Sequence, residues 1–327
     1  MRALKDYKKL LYDPAYILLA VLLILEKDSV TTAVQESVTL CLMTVLPSLL
    51  PFCALTCFFS NKLGASSFMC LGLLGGYPVG TQAVRNAYRC GALSKKEAGR
   101  MLGYVNNPGP AFVFGICGQF FSGVRAPLIM WLIQVISAMA VSMLLPDKER
   151  IGKRKTTDKR MSFQDIALYT LRAMGCVCFW ITMFRIAITL VEKWIMHNTA
   201  SELSAILTGL LELTNGCISG GVILNESIRF MIMNGLLTCG GLCVALQVLS
   251  LAGDIGPGMY FTGKLLQVSV SFLLSYLGQF ILFSKPVIIS AVYLLIPAAI
   301  LIFPYCLKKL KIAMENRKGL LYNKQKI

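Results

Sequence analysis

One carboxylate, Glu212, is the acidic residue most deeply set in an apolar stretch of this sequence. An ionisable residue at membrane depth is costly to bury and is typical of an ion or proton pathway. With Thr214 and Asn215 beside it, Glu212 is predicted to be a coupling site for H⁺ or Na⁺. A structural ion pair with Arg172 or Arg185 is the alternative, and the residue pattern leaves both interpretations open.

A glycine-rich turn, "GGYPVG" from Gly75 to Gly80, predicts a second kind of site. Glycine allows close approach to the backbone because no Cβ intervenes, and exposed backbone N–H groups hold anions. The turn is therefore predicted to contact an anionic group of a substrate. Close helix packing through small residues would use the same residues and is the alternative. No Gly-Lys-Ser/Thr follows, so the turn does not match a nucleotide-binding loop.

Two interruptions of apolar segments complete the predicted site. The first contains Asn106 and Asn107 before a proline and a glycine, where side-chain amides either cap freed backbone groups or contact substrate. Pro110 suits the first turn of a half-helix whose positive end would face the membrane midplane. The predicted substrate-binding residues of both hairpins and both interruptions are Gly75, Gly76, Tyr77, Gly80, Gln82, Asn106, Asn107, Gly109, Thr214, Asn215, Gly240, Gly241 and Gln247.

Three cations, Arg172, Arg185 and Lys264, remain inside apolar spans. One of them is expected to face the cavity if the substrate is anionic, because guanidinium and ammonium groups pair with oxyanions. Neither a metal nor a cofactor is expected. The twelve cysteines contain no CxxC pair, and His197, near a helix end, is the only histidine.

The elements that must position these residues are membrane helices. Of 327 residues, 56% are hydrophobic and only 15% are charged, and apolar runs recur between short charged clusters. Four basic clusters hold 23 of the 32 lysines and arginines and are predicted to be cytoplasmic. They lack the interleaved aromatics of a nucleic-acid platform. An enzyme is not expected, since one histidine and no paired intramembrane carboxylates leave little for acid-base or metal chemistry.

The order of the apolar segments predicts an all-α polytopic membrane protein with about eight crossings and two inverted-topology repeats. Each repeat has a re-entrant glycine-rich hairpin and a broken helix. Five basic residues follow the first hairpin but only one, Arg229, follows the second, so equivalent loops are expected to face opposite sides. The predicted units are an N-terminal extra helix at 1–37, repeat 1 at 38–145, a basic cytoplasmic loop at 146–162, repeat 2 at 163–283, and a last helix with a basic tail at 284–327.

The segment from Gly75 to Gly115, "GGYPVGTQAVRNAYRCGALSKKEAGRMLGYVNNPGPAFVFG", resembles the sporulation integral membrane proteins of the YlbJ type, within the nucleoside-recognition (Gate) group. "CGGLCVALQVLSLAG", which begins at Cys239, is similar to the Gly-Gly-Leu-x-x-x-x-Gln-Val segment of that family. The resemblance implies a permease of a spore-forming bacterium for a small, dipicolinate-like or nucleoside-like solute. Thr81 and Gln82 stand where that family is expected to have Ala-Lys, which removes a cation from the hairpin.

The sequence thus predicts a secondary-type transporter in the bacterial cell membrane or the membrane around the forespore, with both termini in the cytoplasm. Its expected partners are a small, anionic solute, the lipid bilayer and a coupling H⁺ or Na⁺, without nucleic acid, and a homo-oligomer is left open. A non-transporting assembly factor of the sporulation membrane is the alternative, because no residue pattern demonstrates movement of solute.

Overall fold

A computed structural model describes residues 14–59, 65–145, 163–194 and 200–288, together with residues 297 and 300. Within these ranges the chain is helical and contains no β-strand. The predictions for His197, for the basic loop at 146–162 and for the last helix and basic tail beyond residue 288 lie outside the described residues.

The first half of the described chain is a series of helices around one long interruption. The helices are α1 (Pro14–Leu25), α2 (Lys27–Leu40), α3 (Leu46–Phe59), α4 (Ala65–Gly75), α5 (Val79–Arg89), α6 (Lys95–Met101), α7 (Pro110–Phe112) and α8 (Arg125–Leu144). A π-helical turn, Cys41–Val45, joins α2 to α3. α7 continues through a π turn and a 3₁₀ turn as far as Phe120.

The second half repeats this order after a longer first helix. Its helices are α9 (Phe163–Trp194), α10 (Ser201–Leu211), α11 (Leu213–Gly220), α12 (Glu226–Cys239), α13 (Gly241–Ala252) and α14 (Tyr260–Leu282), with a 3₁₀ turn, Gly253–Ile255, after α13. In both halves a hairpin is followed by a helix, an interruption, a half-helix and a long helix. The interruption covers residues 102–109 in the first half and Gly240 alone in the second.

Four helical stretches are long and apolar enough to cross a membrane: Arg125–Leu144, Phe163–Lys193, Glu226–Ile255 and Tyr260–Leu282. A bent pair, Lys27–Val45 with Leu49–Leu55, is a fifth if it counts as one span. The all-α fold with several candidate membrane helices is therefore confirmed. The number of about eight crossings stays a prediction.

The bent pair begins earlier than the sequence indicated. Repeat 1 was predicted to begin at residue 38, but the helix already starts at Lys27 because the polar segment has a face that packs inward. Ala33, Ser37 and Cys41 recur at one-turn spacing and are buried. The two parts of the pair meet at 56°. Prolines at positions 47 and 51 remove backbone donors there, which is a common cause of a kink.

The long helices α8, α12 and α14 are joined by a buried polar network. The Gln134 side-chain amide donates to Asn234 Oδ1 at 2.7 Å and to Thr238 Oγ1 at 2.9 Å, and the Thr238 hydroxyl donates to Ser271 Oγ at 2.7 Å. All four side chains are buried. Hydrogen bonds between apolar helices fix their relative positions where hydrophobic burial alone cannot. This network forms the scaffold behind the two interruptions.

The connecting helix α6 begins with the capping box that "SKKE" indicated. The Ser94 hydroxyl accepts from the Glu97 backbone N–H at 3.1 Å, and the Glu97 carboxylate accepts from the Ser94 backbone N–H at 2.6 Å. These reciprocal bonds satisfy two donors that the helix start would otherwise leave without partners. The motif therefore has a structural role.

Candidate functional site

Both hairpin turns and the surroundings of both interruptions meet at one cavity of about 90 Å³, which we call the central cavity. The two turns, the first interruption and the helix after the second interruption contribute ten lining residues. These are Gly75, Gly76, Tyr77, Pro108, Gly109, Glu212, Leu213, Thr214, Val244 and Gln247. Most of the remaining lining is apolar and comes from the bent helix pair, from the half-helix after Pro110 and from α9. Four segments far apart in the sequence thus converge on one point.

The first hairpin turn touches the first interruption through glycine backbone. Gly76 has a φ of +80°, and a Cβ at this position would lie 2.9 Å from the backbone nitrogen of Gly109. Only glycine combines this left-handed conformation with such a close approach. The neighbouring Tyr77 extends to the other half of the molecule, where its hydroxyl donates to the Leu237 carbonyl at 2.9 Å.

The hydroxyl of Tyr77 also accepts a hydrogen bond from Lys264 at 3.1 Å. The ammonium group of Lys264 donates further to the Asn106 carbonyl and to Gln267 Oε1, the latter at 2.9 Å. Lys264 is only 6% exposed, and all three of these acceptors are neutral oxygens. A buried cation is stabilised here by hydrogen bonds that tie the hairpin, the interruption and α14 together.

The two asparagines of the first interruption serve the backbone. Asn106 Oδ1 accepts from both the backbone and the hydroxyl of Thr81, at 3.0 and 2.6 Å, and its amide donates to the Leu102 carbonyl. Asn107 donates to the Tyr104 carbonyl at 2.8 Å and accepts from Gln267 at 2.6 Å. Neither side chain lines the central cavity. This geometry favours the capping interpretation over substrate contact.

Glu212 is the one charged side chain among the described residues that line the central cavity. It is 2% exposed and caps the start of α11. Its carboxylate accepts from the Thr214 backbone at 3.0 Å, from the Asn215 backbone at 2.8 Å and from the Asn215 side-chain amide at 2.7 Å. The positive end of the helix stabilises a negative charge at this position.

The alternative of a direct ion pair between Glu212 and Arg172 or Arg185 does not match these contacts. Asn215 lies between the two charges, because Arg185 donates to Asn215 Oδ1 at 3.0 Å. The direct ion pair of Arg185 is with Glu36, at 2.7 Å. A side chain that accepts from the arginine and donates to the carboxylate separates the two groups.

Two further cavities lie near the central one. The first, of about 300 Å³, is lined by Arg85, Arg89 and Arg172 and is called the arginine cleft below. The second, of about 230 Å³, is lined by Arg185, Glu36 and Asn215 and is called the Arg185 cavity. All three cavities take lining residues from one face of α9, at one-turn spacing: Ala173, Val177, Ile181 and Arg185.

The predicted site residues divide into three groups by location. The central cavity is lined by Gly75, Gly76, Tyr77, Gly109, Glu212, Thr214 and Gln247. The flanking cavities are lined by Gln82 and Arg172 in the arginine cleft and by Asn215 and Arg185 in the Arg185 cavity. None of the three cavities is lined by Gly80, Asn106, Asn107, Gly240, Gly241 or Lys264, which pack the surrounding structure.

Sequence reasoning missed Thr44, Arg85 and Arg89 as lining residues. Thr44 lies in the π-helical turn of the bent pair and lines the central cavity. π turns are frequent at functional sites, but no residue type predicts a π turn from the sequence. Arg85 and Arg89 belong to a basic cluster that indicated topology, and only the fold brings them beside Arg172.

No family model, curated protein or solved structure matches this chain. The resemblance to sporulation proteins of the YlbJ type stays a prediction. Among the described residues, no group of three or more His, Cys, Asp or Glu side chains is placed to hold a metal ion.

Proposed function

We propose that the chain is a secondary-type membrane transporter for a small organic solute, with Glu212 as the group that couples transport to H⁺ or Na⁺. The observation that carries this proposal is the row of three cavities along one face of α9, from Ala173 to Arg185. Both hairpin turns contribute to the lining of the middle cavity. Irregular backbone at membrane depth is tolerated where it is buried or lines a water-filled cavity, and paired interruptions are typical of transporter sites.

An inverted-topology repeat with about eight crossings is part of the proposal. It is supported by the way the hairpins approach α9: Arg85 of the first lines the same cleft as Arg172, whereas Asn215 of the second bonds Arg185. At ~1.5 Å per residue, the two contact points on α9 are roughly 20 Å apart. Two hairpins that enter from opposite ends agree with the charge difference between their loops, with both termini then in the cytoplasm.

The central cavity is too small for a metabolite. Its volume of about 90 Å³ is well below the ~300–1,000 Å³ of small-molecule sites. Passage of a solute therefore requires the two hairpin turns to separate, which corresponds to the gated opening of other transport proteins. At the second turn, the hydrogen bonds of Glu212 all lie within its own hairpin, so movement of this turn would instead have to break or carry along the hydrogen bond from Arg185 to Asn215.

The hydrogen bonds of Glu212 indicate how an ion is coupled to this movement. An ionised carboxylate only accepts hydrogen bonds, so protonation would turn one oxygen into a donor and remove an acceptor from the backbone of Thr214 or Asn215. A bound Na⁺ would compete for the same oxygens. The charge of Glu212 also repels an anionic solute until a cation is bound, so we expect an anion to move together with H⁺ or Na⁺.

The proposal is tested by uptake into proteoliposomes. Radiolabelled dipicolinate, the first solute class that the family resemblance implies, and a labelled nucleoside are offered with and without an inward H⁺ or Na⁺ gradient. Wild-type protein should accumulate at least one of them only when the gradient is present. A folded protein that accumulates neither would contradict the transporter and favour the assembly factor.

The substitution Glu212→Gln should abolish gradient-driven accumulation while the protein remains folded, because glutamine keeps an acceptor oxygen for the helix cap but binds neither H⁺ nor Na⁺ strongly. The loss of cap strength is expected to be about 1 kcal/mol or less. Glu202→Gln, which removes an acid from the start of α10 away from the three cavities, is the matched control. Accumulation at the wild-type level by Glu212→Gln would remove this residue from the mechanism.

A further inference from the structure

The arginine cleft concentrates positive charge more than any other cavity described above. Among the described residues, Arg85, Arg89 and Arg172 line it, against one carboxylate, Asp254. The guanidinium group of Arg85 interacts electrostatically with the other three groups. Three cations facing one acid leave the cleft positively charged, which attracts anions.

The fold holds two of the arginines in place. The Arg89 guanidinium lies 4.8 Å from the ring centre of Tyr169, a cation–π contact between α5 and α9. Arg85 lies beside Gly253, where a Cβ would be 3.0 Å from the guanidinium nitrogen, so the glycine leaves room for the side chain. Arg172 is exposed and projects from the same stretch of α9 as Tyr169.

The remaining lining matches an oxyanion with a small organic body. The side chains of Gln82 and Asn86 add amide groups, and Leu251 and Ala173 add apolar surface. The volume of about 300 Å³ lies at the lower end of the ~300–1,000 Å³ range of small-molecule sites. Guanidinium groups bind phosphate and carboxylate through paired hydrogen bonds.

The cleft is one helical turn from the central cavity on two separate helices. On α9, Ala173 lines the cleft and Val177 lines the central cavity; on α13, Leu251 lines the cleft and Gln247 the central cavity. The arginines belong to the end of the molecule that the charge pattern predicts to be cytoplasmic. An anion held here would lie directly beside the site that Glu212 lines.

From this geometry we infer a second binding site, formed by Arg85, Arg89 and Arg172, for the phosphate or carboxylate group of an anionic ligand. The site binds either the transported anion before it reaches the central cavity or the headgroup of an anionic lipid. A role in transport rests on the proposed function, but binding of an anion does not. Binding and transport are therefore measured separately.

The experiment uses the full chain in neutral detergent, with inorganic phosphate as the probe and thermal unfolding as the readout. Phosphate should raise the Tm of the wild type above the value in chloride at equal ionic strength. Arg172→Gln and Arg85→Gln should each weaken the apparent Kd for phosphate about tenfold, the change expected when a charge-assisted contact is lost. Arg100→Gln, an arginine of the same basic cluster that does not line the cleft, should leave the Kd unchanged.

A lipid arm separates the two sources of the anionic group. The protein is placed in nanodiscs of phosphatidylcholine with or without phosphatidylglycerol, and the phosphatidylglycerol that stays bound after extraction is counted by native mass spectrometry. Retention that depends on Arg85 and Arg172 assigns the site to a lipid headgroup, and stabilisation by phosphate without retention assigns it to a soluble anion. Equal phosphate binding and equal lipid retention by the wild type and a variant that carries both Arg85→Gln and Arg172→Gln would overturn the inference. Arg172→Lys keeps the positive charge at this exposed position and is the control for misfolding of the glutamine variants.

Discussion

Each hairpin turn has a buried ionisable side chain at it, Lys264 at the first and Glu212 at the second, and the two are hydrogen-bonded in different ways. At the first turn, the ammonium group of Lys264 bonds to Tyr77, Asn106 and Gln267, which lie on three different elements. At the second turn, the carboxylate of Glu212 accepts only from residues of its own hairpin, Thr214 and Asn215. The buried group at the first turn thus joins three elements, whereas the carboxylate at the second turn is bonded within its own hairpin, which contacts α9 through the hydrogen bond from Arg185 to Asn215.

Glycines pack closely in both hairpins. A Cβ on Gly80, in the first hairpin, would lie 2.2 Å from the Val105 carbonyl oxygen, which belongs to the interruption. A Cβ on Gly216, in the second hairpin, would lie 2.1 Å from the Cα of Gly209, in the other helix of the same hairpin. Loss of a contact at the first turn is therefore expected to affect the first hairpin, the first interruption and α14 together. The second hairpin also meets the second interruption, since a Cβ on Gly241 would lie 2.6 Å from the Gly209 carbonyl oxygen.

The largest effect is expected from Gly80→Val. The added side chain would overlap the Val105 carbonyl and force the first hairpin away from the interruption, so we expect a loss of about 4 kcal/mol of folding free energy and a low yield of folded protein. Gly115→Val is the control, because a Cβ at Gly115 meets no atom within 4 Å. Thermal unfolding in detergent measures both variants. Equal Tm values would mean that the first turn is not held by this contact.

A somewhat smaller effect is expected from Lys264→Met, which keeps the length of the side chain and removes its three hydrogen bonds. The acceptors on Tyr77, Asn106 and Gln267 would stay buried without this donor, at a cost of about 3 kcal/mol in total. Lys285→Met, at an exposed position past the end of α14, controls for the loss of a lysine. A Tm of Lys264→Met at or above that of the wild type would show that the desolvation cost of the buried amino group exceeds the stabilisation by its hydrogen bonds.

The elements of this fold could be predicted where the signal is local. Proline and glycine after Asn107 stop a helix wherever they occur, and "SKKE" caps a helix by itself. Long apolar runs such as the one beginning at Phe163 need no partner to be recognised. The start of α2 was missed, because its inward face is built from alanine, serine and cysteine among polar residues.

The site could be predicted only in part, because its contacts join residues far apart in the sequence. The glycines of the first turn and Glu212 were identified from their type and apolar surroundings. The cap role of Glu212 was not, since glutamate is not among the residues preferred at this position. Likewise, Arg85 and Arg89 lie more than eighty residues before Arg172 in the sequence, and no local pattern indicates that they share a cleft.

The smallest effect, and the finest test of the comparison, is expected from Tyr77→Phe. The hydroxyl of Tyr77 connects the two halves, since it accepts from Lys264 and donates to the Leu237 carbonyl. Its removal should lower the free energy of unfolding by about 1–2 kcal/mol, the usual value for a buried hydrogen-bonded group. The aromatic ring stays at the central cavity, so solute binding should change less than stability.

Tyr260→Phe is the matched control for this variant. Tyr260 is as deeply buried, 1% exposed, but its hydroxyl has no hydrogen-bond partner among the described residues. Removal of an unsatisfied hydroxyl relieves a desolvation cost, so Tyr260→Phe should be neutral or slightly stabilising. The two substitutions should therefore change Tm differently: Tm should fall for Tyr77→Phe and not for Tyr260→Phe. If both variants lose the same stability, the hydroxyl of Tyr77 is not what ties the first turn to the second half, and the contrast between the hydrogen bonds of the two turns fails.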